Sequence, residues 1–353
     1  MQRRQFSRAL AALATGASLS PVNAAPESDD GSITDVQGLK VGHFTDSRRP
    51  TGCTVLLFEK GATAGVDVRG SAPGTRETDL LNPVNSVQQV QAIVLAGGSA
   101  FGLDAASGVV RYLDEHHLGY RVGDIVVPIV PAAILYDLQI GDARIRPTAE
   151  SGYKACQAAT SQRVVEGNVG AGAGATIGKM FGPKQAMKSG LGSASIRVGS
   201  TGIVVGAIVA VNAVGDVVDP KTGKIIGGAR KPDGSGFMDS MARIREGYSV
   251  GAGATANTTI GVVATNVALD KVQATKVAQM AHDGLARTIF PVHTPSDGDT
   301  IFAVATGEIP VRANHGAIGA LAAEAMAQAV LRAVRSARGI AGLPGYSDLQ
   351  SHR

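Results

Sequence analysis

Two kinds of hydrophobic pattern alternate along the chain. Runs of apolar and β-branched residues bounded by Gly or Pro predict strands, at Ile33–Phe44, Thr54–Phe58, Ala62–Val68, Ala92–Ala96, within Ser193–Val218, at Thr258–Asn266 and at Ile301–Ala305. Alanine-rich segments with apolar residues three or four positions apart predict helices, at Phe101–His117, Ala149–Ala159, Lys271–Thr288 and Ala317–Ala337. Because strands and helices interleave, the pattern predicts an α/β or α+β body without a long linker between independent domains. The last helix carries Glu324, Arg332 and Arg335, so we expect it to pack on protein and not to span a membrane.

Residues 1–24 show a different pattern. Arg3, Arg4 and Arg8 precede an apolar run from Ala9 to about Leu19, and small residues follow up to Ala24. A basic head, a short apolar stretch and an A-x-A-like end are typical of a secretory signal. The paired arginines are typical of the twin-arginine type. The sequence therefore predicts a signal peptide over residues 1–24 and a periplasmic or secreted mature protein.

Removing this segment changes the charge balance. The whole chain has 33 Lys+Arg against 29 Asp+Glu, and the first 24 residues hold three Arg and no acid, which leaves 30 against 29. The nearly neutral remainder has no Trp and few Phe or Tyr, so neither a basic footprint nor stacking platforms indicate a nucleic-acid partner. A small-molecule substrate fits this balance better. Hydrophobic residues at 44% argue against disorder.

Two cysteines, Cys53 and Cys156, would lie in an oxidising compartment after export. Their separation decides nothing between a disulfide and free thiols. Since free Cys is often buried, we favour two buried thiols.

Two glycine-rich segments resemble nucleotide-binding loops only superficially. Gly97-Gly98-Ser99-Ala100-Phe101-Gly102 lacks the G-x-G-x-x-G spacing, and Phe101 stands where a G-x-S-x-G elbow requires Gly. Gly172–Lys179 lacks the phosphate-loop spacing, and Met180 replaces the magnesium-binding hydroxyl. We therefore expect structural glycines and no cofactor. Lys179 by itself is typical of a solvated lysine.

One His and two Asp occur together in His293-Thr294-Pro295-Ser296-Asp297-Gly298-Asp299. A cation site is conceivable, but there is no second His at i+4 and no calcium-loop pattern. A turn in which Asp and Gly satisfy the backbone is the favoured interpretation. A metal hydrolase centred on His293 and Asp297 stays open as an alternative.

Asn257-Thr258-Thr259 enters an apolar strand, where threonine is ordinarily a β-former. The chemical interpretation is self-cleavage of the Asn257–Thr258 bond by the Thr258 hydroxyl. The new α-amine of Thr258, with an unperturbed pKa near 8, could then act as the base for its own hydroxyl.

These motifs, taken in order, resemble the DmpA-like L-aminopeptidase/D-esterase family, nearer its Thr-nucleophile members such as the aminohexanoate-oligomer (nylon-oligomer) hydrolases. The resemblance covers about Ile33 to Arg335 and rests on Asn257-Thr258-Thr259, on the Gly97–Asp104 segment and on Ser296–Thr300. It implies an αββα sandwich of two central sheets between helical layers, as in ornithine acetyltransferase. It also implies a homo-oligomer of self-processed units, each with an α chain of about residues 25–257 and a β chain of 258–353.

The resemblance also implies roles for individual residues. Thr258 matches the nucleophile, Lys179 a lysine near its oxygen, and Asn212 an oxyanion donor. Asp297 and Asp299 match an acidic pair beside the nucleophile, where the founding aminopeptidases have Ser and Glu. Tyr136 matches a tyrosine that hydrogen-bonds substrate or intermediate.

The expected function is thus a self-processing amide hydrolase that needs no metal or cofactor and acts on small peptides or oligoamides with a free amine. Two alternatives remain open at this level besides the metal hydrolase. One is an acyltransferase of the ornithine-acetyltransferase type, and the other is a non-catalytic periplasmic binding protein.

Overall fold

The computed structural model describes residues 31–248, 257–311, 313–340 and 342–350. The predicted signal peptide and the glycine-rich segment Val250–Thr255 lie outside these ranges.

The described residues form sixteen strands and six α-helices. The strands are β1 (Lys40–Thr45), β2 (Gly52–Val68), β3 (Thr75–Arg76), β4 (Val90–Ala96), β5 (Tyr120–Val122), β6 (Ile125–Val127), β7 (Ala132–Ile134), β8 (Thr176–Ile177), β9 (Met187–Lys188), β10 (Leu191–Arg197), β11 (Val204–Asn212), β12 (Asp216–Asp219), β13 (Lys224–Gly227), β14 (Thr258–Val267), β15 (Ile289–Phe290) and β16 (Thr300–Ile309). The helices are α1 (Ala105–Glu115), α2 (Ala149–Gln157), α3 (Ser240–Arg245), α4 (Lys271–Ala286), α5 (His315–Arg335) and α6 (Tyr346–Gln350).

Strand β2 links two halves of the main sheet, whose order is β10-β11-β14-β16-β2-β4-β7-β3 with β1 also paired to β2. The first half of β2 pairs with β1 and β4, and Thr63–Val68 pairs with β16. The prediction of two short strands here was wrong, because the chain continues through a register shift between Leu57 and Ala62. Gly61, at φ +78°, accommodates this irregularity.

The two halves pack face to face between helices, which confirms the predicted αββα layering. Apolar side chains from both halves meet in a central core that includes Leu56, Ile93, Leu95, Ile260, Val262 and Phe302. Helices α1 and α2 cover the outer face of one half, and α4 and α5 cover the other. Strands such as β11 and β14 are buried along their whole length, which explains their continuous apolar sequence.

Small residues let these layers approach closely. A Cβ on Gly192 of β10 would lie 2.1 Å from the carbonyl oxygen of Ala329 in α5, and one on Gly284 of α4 would lie 2.4 Å from that of Ala323. Helix α5 is long and apolar enough to cross a membrane, but 67% of its most apolar window is buried inside the fold, as expected of a core helix.

Three local expectations are corrected or resolved. The predicted strand Ile33–Phe44 is a 3₁₀ turn at Ile33–Asp35 followed by β1, since the chain turns at Gly38 with φ +87°. The predicted helix from Phe101 begins as a 3₁₀ segment, and α1 proper starts at Ala105. Cys53 and Cys156 are both buried free thiols, as favoured.

Candidate active site

Thr258 is the first residue of β14 and is buried. Its hydroxyl Oγ1 donates to the carbonyl oxygen of Asn257 at 2.5 Å. The backbone N–H of Gly298 donates to the same oxygen at 2.9 Å. The carbonyl of the peptide bond before Thr258 is therefore polarised by an amide donor and lies against the Thr258 hydroxyl.

Sheet topology brings the acidic segment to this position. β14 and β16 are parallel neighbours, with Ile260 opposite Thr300, so the residues preceding both strands meet at one edge. Asn257 and Asp297 form an isolated parallel bridge there. On the other side of β14, the antiparallel strand β11 places Asn212 opposite Thr258. Residues up to 87 positions apart (Asn212 to Asp299) thus share one edge.

Gly298 is a position where a side chain has no room. A Cβ there would lie 2.6 Å from the carbonyl oxygen of Ala72 and 2.9 Å from Thr258 Oγ1. The glycine therefore allows the backbone to approach the threonine hydroxyl closely.

The acidic pair is buried, with Asp297 and Asp299 each 2% exposed. Asp299 Oδ1 accepts the backbone N–H of Thr259 at 2.7 Å, and Asp297 Oδ2 accepts that of Thr294 at 2.7 Å. Burial, reinforced by the neighbouring Asp299 charge, raises the pKa of Asp297 to about 6. Ionisation of Asp297 beside Asp299 is therefore unfavourable, and it places negative charge close to Thr258.

Lys179 is buried too, so the interpretation as a solvated lysine was wrong. Its Nζ donates to Asn212 Oδ1 at 2.9 Å and to the Asn212 carbonyl oxygen at 3.2 Å. Burial lowers the pKa of Lys179 to about 7, although the charges of Asp297 and Asp299 oppose this effect. The turn at Gly178, with φ +69°, directs this lysine inward.

Asn212 connects the lysine to the tyrosine segment. Its Oδ1 accepts from Lys179 and from the Thr176 backbone N–H at 3.1 Å, and its Nδ2 donates to the Tyr136 carbonyl oxygen at 3.0 Å. These contacts fix the amide orientation, because the acceptor faces two donors. One of the two Nδ2 hydrogens remains for another acceptor. The backbone of Tyr136, and not its hydroxyl, makes the contact with this group.

A cavity of about 340 Å³ adjoins these residues. Its wall includes Tyr136, Thr176 and Lys179 at the buried end and the exposed Lys184. Asp137, which also belongs to the wall, forms a fully buried ion pair with Arg49 at 2.7 Å. Arg49 also donates to the carbonyl oxygens of Ile140 and Ile145, which hold the cavity loop in place.

The Asp137 carboxylate also explains the glycine motif that begins at Gly97. Asp137 accepts the Gly98 backbone N–H at 2.9 Å and the Thr51 hydroxyl at 2.7 Å. A Cβ on Gly97 would lie 2.2 Å from Asp137 Oδ2. These glycines are structural, as expected, and they allow the backbone to approach the Asp137 carboxylate.

Sequence reasoning missed the partner of His293. His293 Nδ1 lies 2.8 Å from Asp299 Oδ2, and the cation-site alternative had paired this histidine with Asp297. Among the described residues, no group of three His, Cys, Asp or Glu side chains is arranged to hold a metal. The only sequence signal for this pairing was proximity, since five residues separate His293 and Asp299 in one turn.

Several solved structures share this fold. A β-aminopeptidase of Burkholderia sp. matches with a TM-score of 0.68 and 22% identity, covering 91% of this chain and 93% of that one. The L-aminopeptidase D-Ala-esterase/amidase of Ochrobactrum anthropi, a variant of the Ntn-hydrolase fold, matches with a TM-score of 0.68 and 21% identity, covering 91% and 92%. The chain thus has the same fold as these two structures.

The chain belongs to Peptidase family S58, whose profile matches residues 31–347. An uncharacterized aminopeptidase of Mycobacterium tuberculosis is 45% identical over 90% of this chain and 97% of its own length. The 6-aminohexanoate-oligomer endohydrolase of Kocuria sp. (strain KY2) is 32% identical over 85% of each. These findings confirm the resemblance, and the protein is a peptide or amide hydrolase.

Proposed function

We propose that the chain cuts itself between Asn257 and Thr258 and then hydrolyses amide bonds through an acyl-enzyme on Thr258. One observation carries this proposal: the Asn257 carbonyl accepts the Gly298 N–H at 2.9 Å while the Thr258 hydroxyl lies on the same oxygen at 2.5 Å. The Gly298 hydrogen bond belongs to the parallel bridge between Asn257 and Asp297, whereas strand pairing does not require the hydroxyl contact.

Self-cleavage would begin with attack of Thr258 Oγ1 on the Asn257 carbonyl carbon. The new C–O bond forms as the C–N bond breaks, and the hydroxyl proton passes to the departing nitrogen. The Gly298 N–H stabilises the charge that develops on the carbonyl oxygen. Water then hydrolyses the ester, which leaves a carboxylate on Asn257 and Thr258 as a new N-terminus.

In the processed enzyme, the α-amine of Thr258 takes the hydroxyl proton as the oxygen attacks the substrate carbonyl. The second Nδ2 hydrogen of Asn212 donates to the oxyanion, and the Lys179 cation favours ionisation of the threonine oxygen. The amine half of the substrate leaves with this proton, and water then hydrolyses the ester on Thr258 and releases the acyl group. Asp297 and Asp299 stabilise the charged form of the α-amine between these steps.

The substrates we propose are small peptides or oligoamides. The cavity of about 340 Å³ is within the size range of small-molecule sites. The names of the relatives, aminopeptidase and oligomer endohydrolase, point in the same direction. We further propose that the protein is exported through its twin-arginine segment and works as a homo-oligomer of processed units.

Intact mass and denaturing gels of purified protein test the proposal. We expect two fragments, the second beginning at Thr258. Thr258→Ala should remain one chain and be inactive, while Thr258→Ser, which keeps a hydroxyl, should still be cut. A single uncut wild-type chain with full amidase activity contradicts self-cleavage. Product analysis with an added acceptor amine separates hydrolysis from acyl transfer.

A further inference from the structure

His293 holds one side of the Asp299 carboxylate with two donors. Its ring Nδ1 lies 2.8 Å from Asp299 Oδ2, and its backbone N–H donates to the same oxygen at 3.2 Å. The other oxygen, Oδ1, accepts the Thr259 N–H at 2.7 Å. A single buried carboxylate therefore connects the histidine to the residue that follows the nucleophile.

The backbone of His293 is in a conformation that costs energy. Its φ of +55° lies in the left-handed region, which is uncommon for residues other than Gly, although His, Asn and Asp adopt it more often than most. This conformation lets both the ring and the backbone N–H reach Asp299. Strain of this kind persists when the surrounding structure over-determines it, and it concentrates at functional sites.

A second histidine fixes the plane of the ring. His282, in α4, packs edge-on against His293 with ring centroids 4.9 Å apart and planes at 69°. Its Nε2 donates to the Asp67 carbonyl oxygen at 3.0 Å, and its side chain is fully buried. Since a carbonyl only accepts, this contact settles which nitrogen of His282 carries a proton. The His282 ring is thereby immobilised behind His293.

We propose that His293, supported by His282, is a positioning residue that orients Asp299 and thereby sets the start of β14 for reaction. This inference rests on the function proposed above. Asp299 holds the Thr259 amide, and the adjacent Gly298 amide holds the Asn257 carbonyl, so a rotated Asp299 displaces the nucleophile from the bond it attacks. The expected loss is in the rate of the chemical steps and not in substrate binding.

Two substitutions at His293 distinguish an effect on the orientation of Asp299 from an effect on folding. Asn tolerates positive φ, and its side-chain amide can donate to Asp299 in place of Nδ1. Gly adopts the same φ but has no side-chain donor. His117 provides a matched control, because it is exposed, lies outside the site and has φ +56°. The experiment compares His293→Gly, His293→Asn, His117→Gly and His117→Asn with the wild type.

The measurements are the rate of self-cleavage from intact mass, kcat and KM of the cut protein on an amide substrate, and Tm. We expect His293→Gly to slow cleavage and lower kcat on the order of 10- to 100-fold with little change in KM. His293→Asn should recover most of both rates, and the two His117 variants should match the wild type.

Equal losses in His293→Gly and His293→Asn, or a loss seen in Tm or KM alone, overturn the positioning role. When the wild type is cut and Thr258→Ala is not, either of these His293 results overturns the positioning role and leaves the proposed function intact. A wild-type chain that is never cut overturns both.

Discussion

Asp297 provides a test of whether a buried carboxylate in the candidate site lowers the stability of the folded chain. Its carboxyl is buried beside Asp299, and these two causes raise its pKa from 3.8 to about 6. The folded chain therefore binds more protons than the unfolded chain between these pH values, so stability falls as pH rises through this window. At pH 8 the ionised carboxylate costs up to about 3 kcal/mol. Asp297→Asn removes this cost, and its amide oxygen can still accept the Thr294 N–H.

The assay is urea or thermal unfolding of Thr258→Ala with and without Asp297→Asn, so that both proteins remain one chain. At pH 8 we expect the double variant to be more stable by up to about 3 kcal/mol, or about 4 °C in Tm at the usual unfolding entropy per residue. Near pH 4 the two proteins should converge. In a Thr258-containing chain, the same substitution should slow self-cleavage. Equal stability at pH 8, or a gain that grows as the pH is lowered, would refute this account of Asp297.

Three further outcomes follow from the described contacts. Arg49→Met should destabilise the chain by about 3–5 kcal/mol in urea unfolding, because it leaves the Asp137 carboxylate buried without its cation; a loss below 1 kcal/mol would contradict a buried pair. Lys179→Met removes the cation that favours ionisation of the Thr258 oxygen, so self-cleavage, measured by mass spectrometry, should slow on the order of 100-fold. An unchanged rate would show that the lysine has no part in the mechanism. Gly298→Ala should slow cleavage and lower Tm, since the added Cβ would lie 2.6 Å from the Ala72 carbonyl oxygen and 2.9 Å from Thr258 Oγ1; cutting at the wild-type rate would show that the close approach at Gly298 does not matter.

The strands and helices were predictable where local pattern decides them. Thr258–Asn266 was predicted as a strand and β14 is Thr258–Val267, because every residue there faces a packed layer. The joined strand β2 was not predictable, since Gly61 looks like a break in any local window. The boundary at Gly38 was missed for the opposite reason, because the surrounding residues favour a strand and only the positive φ ends it.

The candidate site, like the secondary structure, was predictable from the sequence only in part. Resemblance supplied Thr258, Lys179, Asn212 and the acidic pair, and the structure gathers these side chains at one edge. Lys179 looked solvated because its burial depends on Asn212, 33 residues away. His293 was predicted to lie in a turn, with a metal site as an alternative, and its contact with Asp299 gained meaning only once β14 lay beside β16.

By itself, the sequence determined the kinds of element, the layered α and β composition and the chemistry available at Asn257–Thr258. These follow from short-range periodicity and from what a hydroxyl next to a peptide bond can do. Only the tertiary structure decided which polar groups face that bond and how far burial shifts the pKa of Asp297 and Lys179. The physical reason is that desolvation and hydrogen bonding depend on neighbours in space, and here the parallel pairing of β14 with β16 and the antiparallel pairing with β11 supply them.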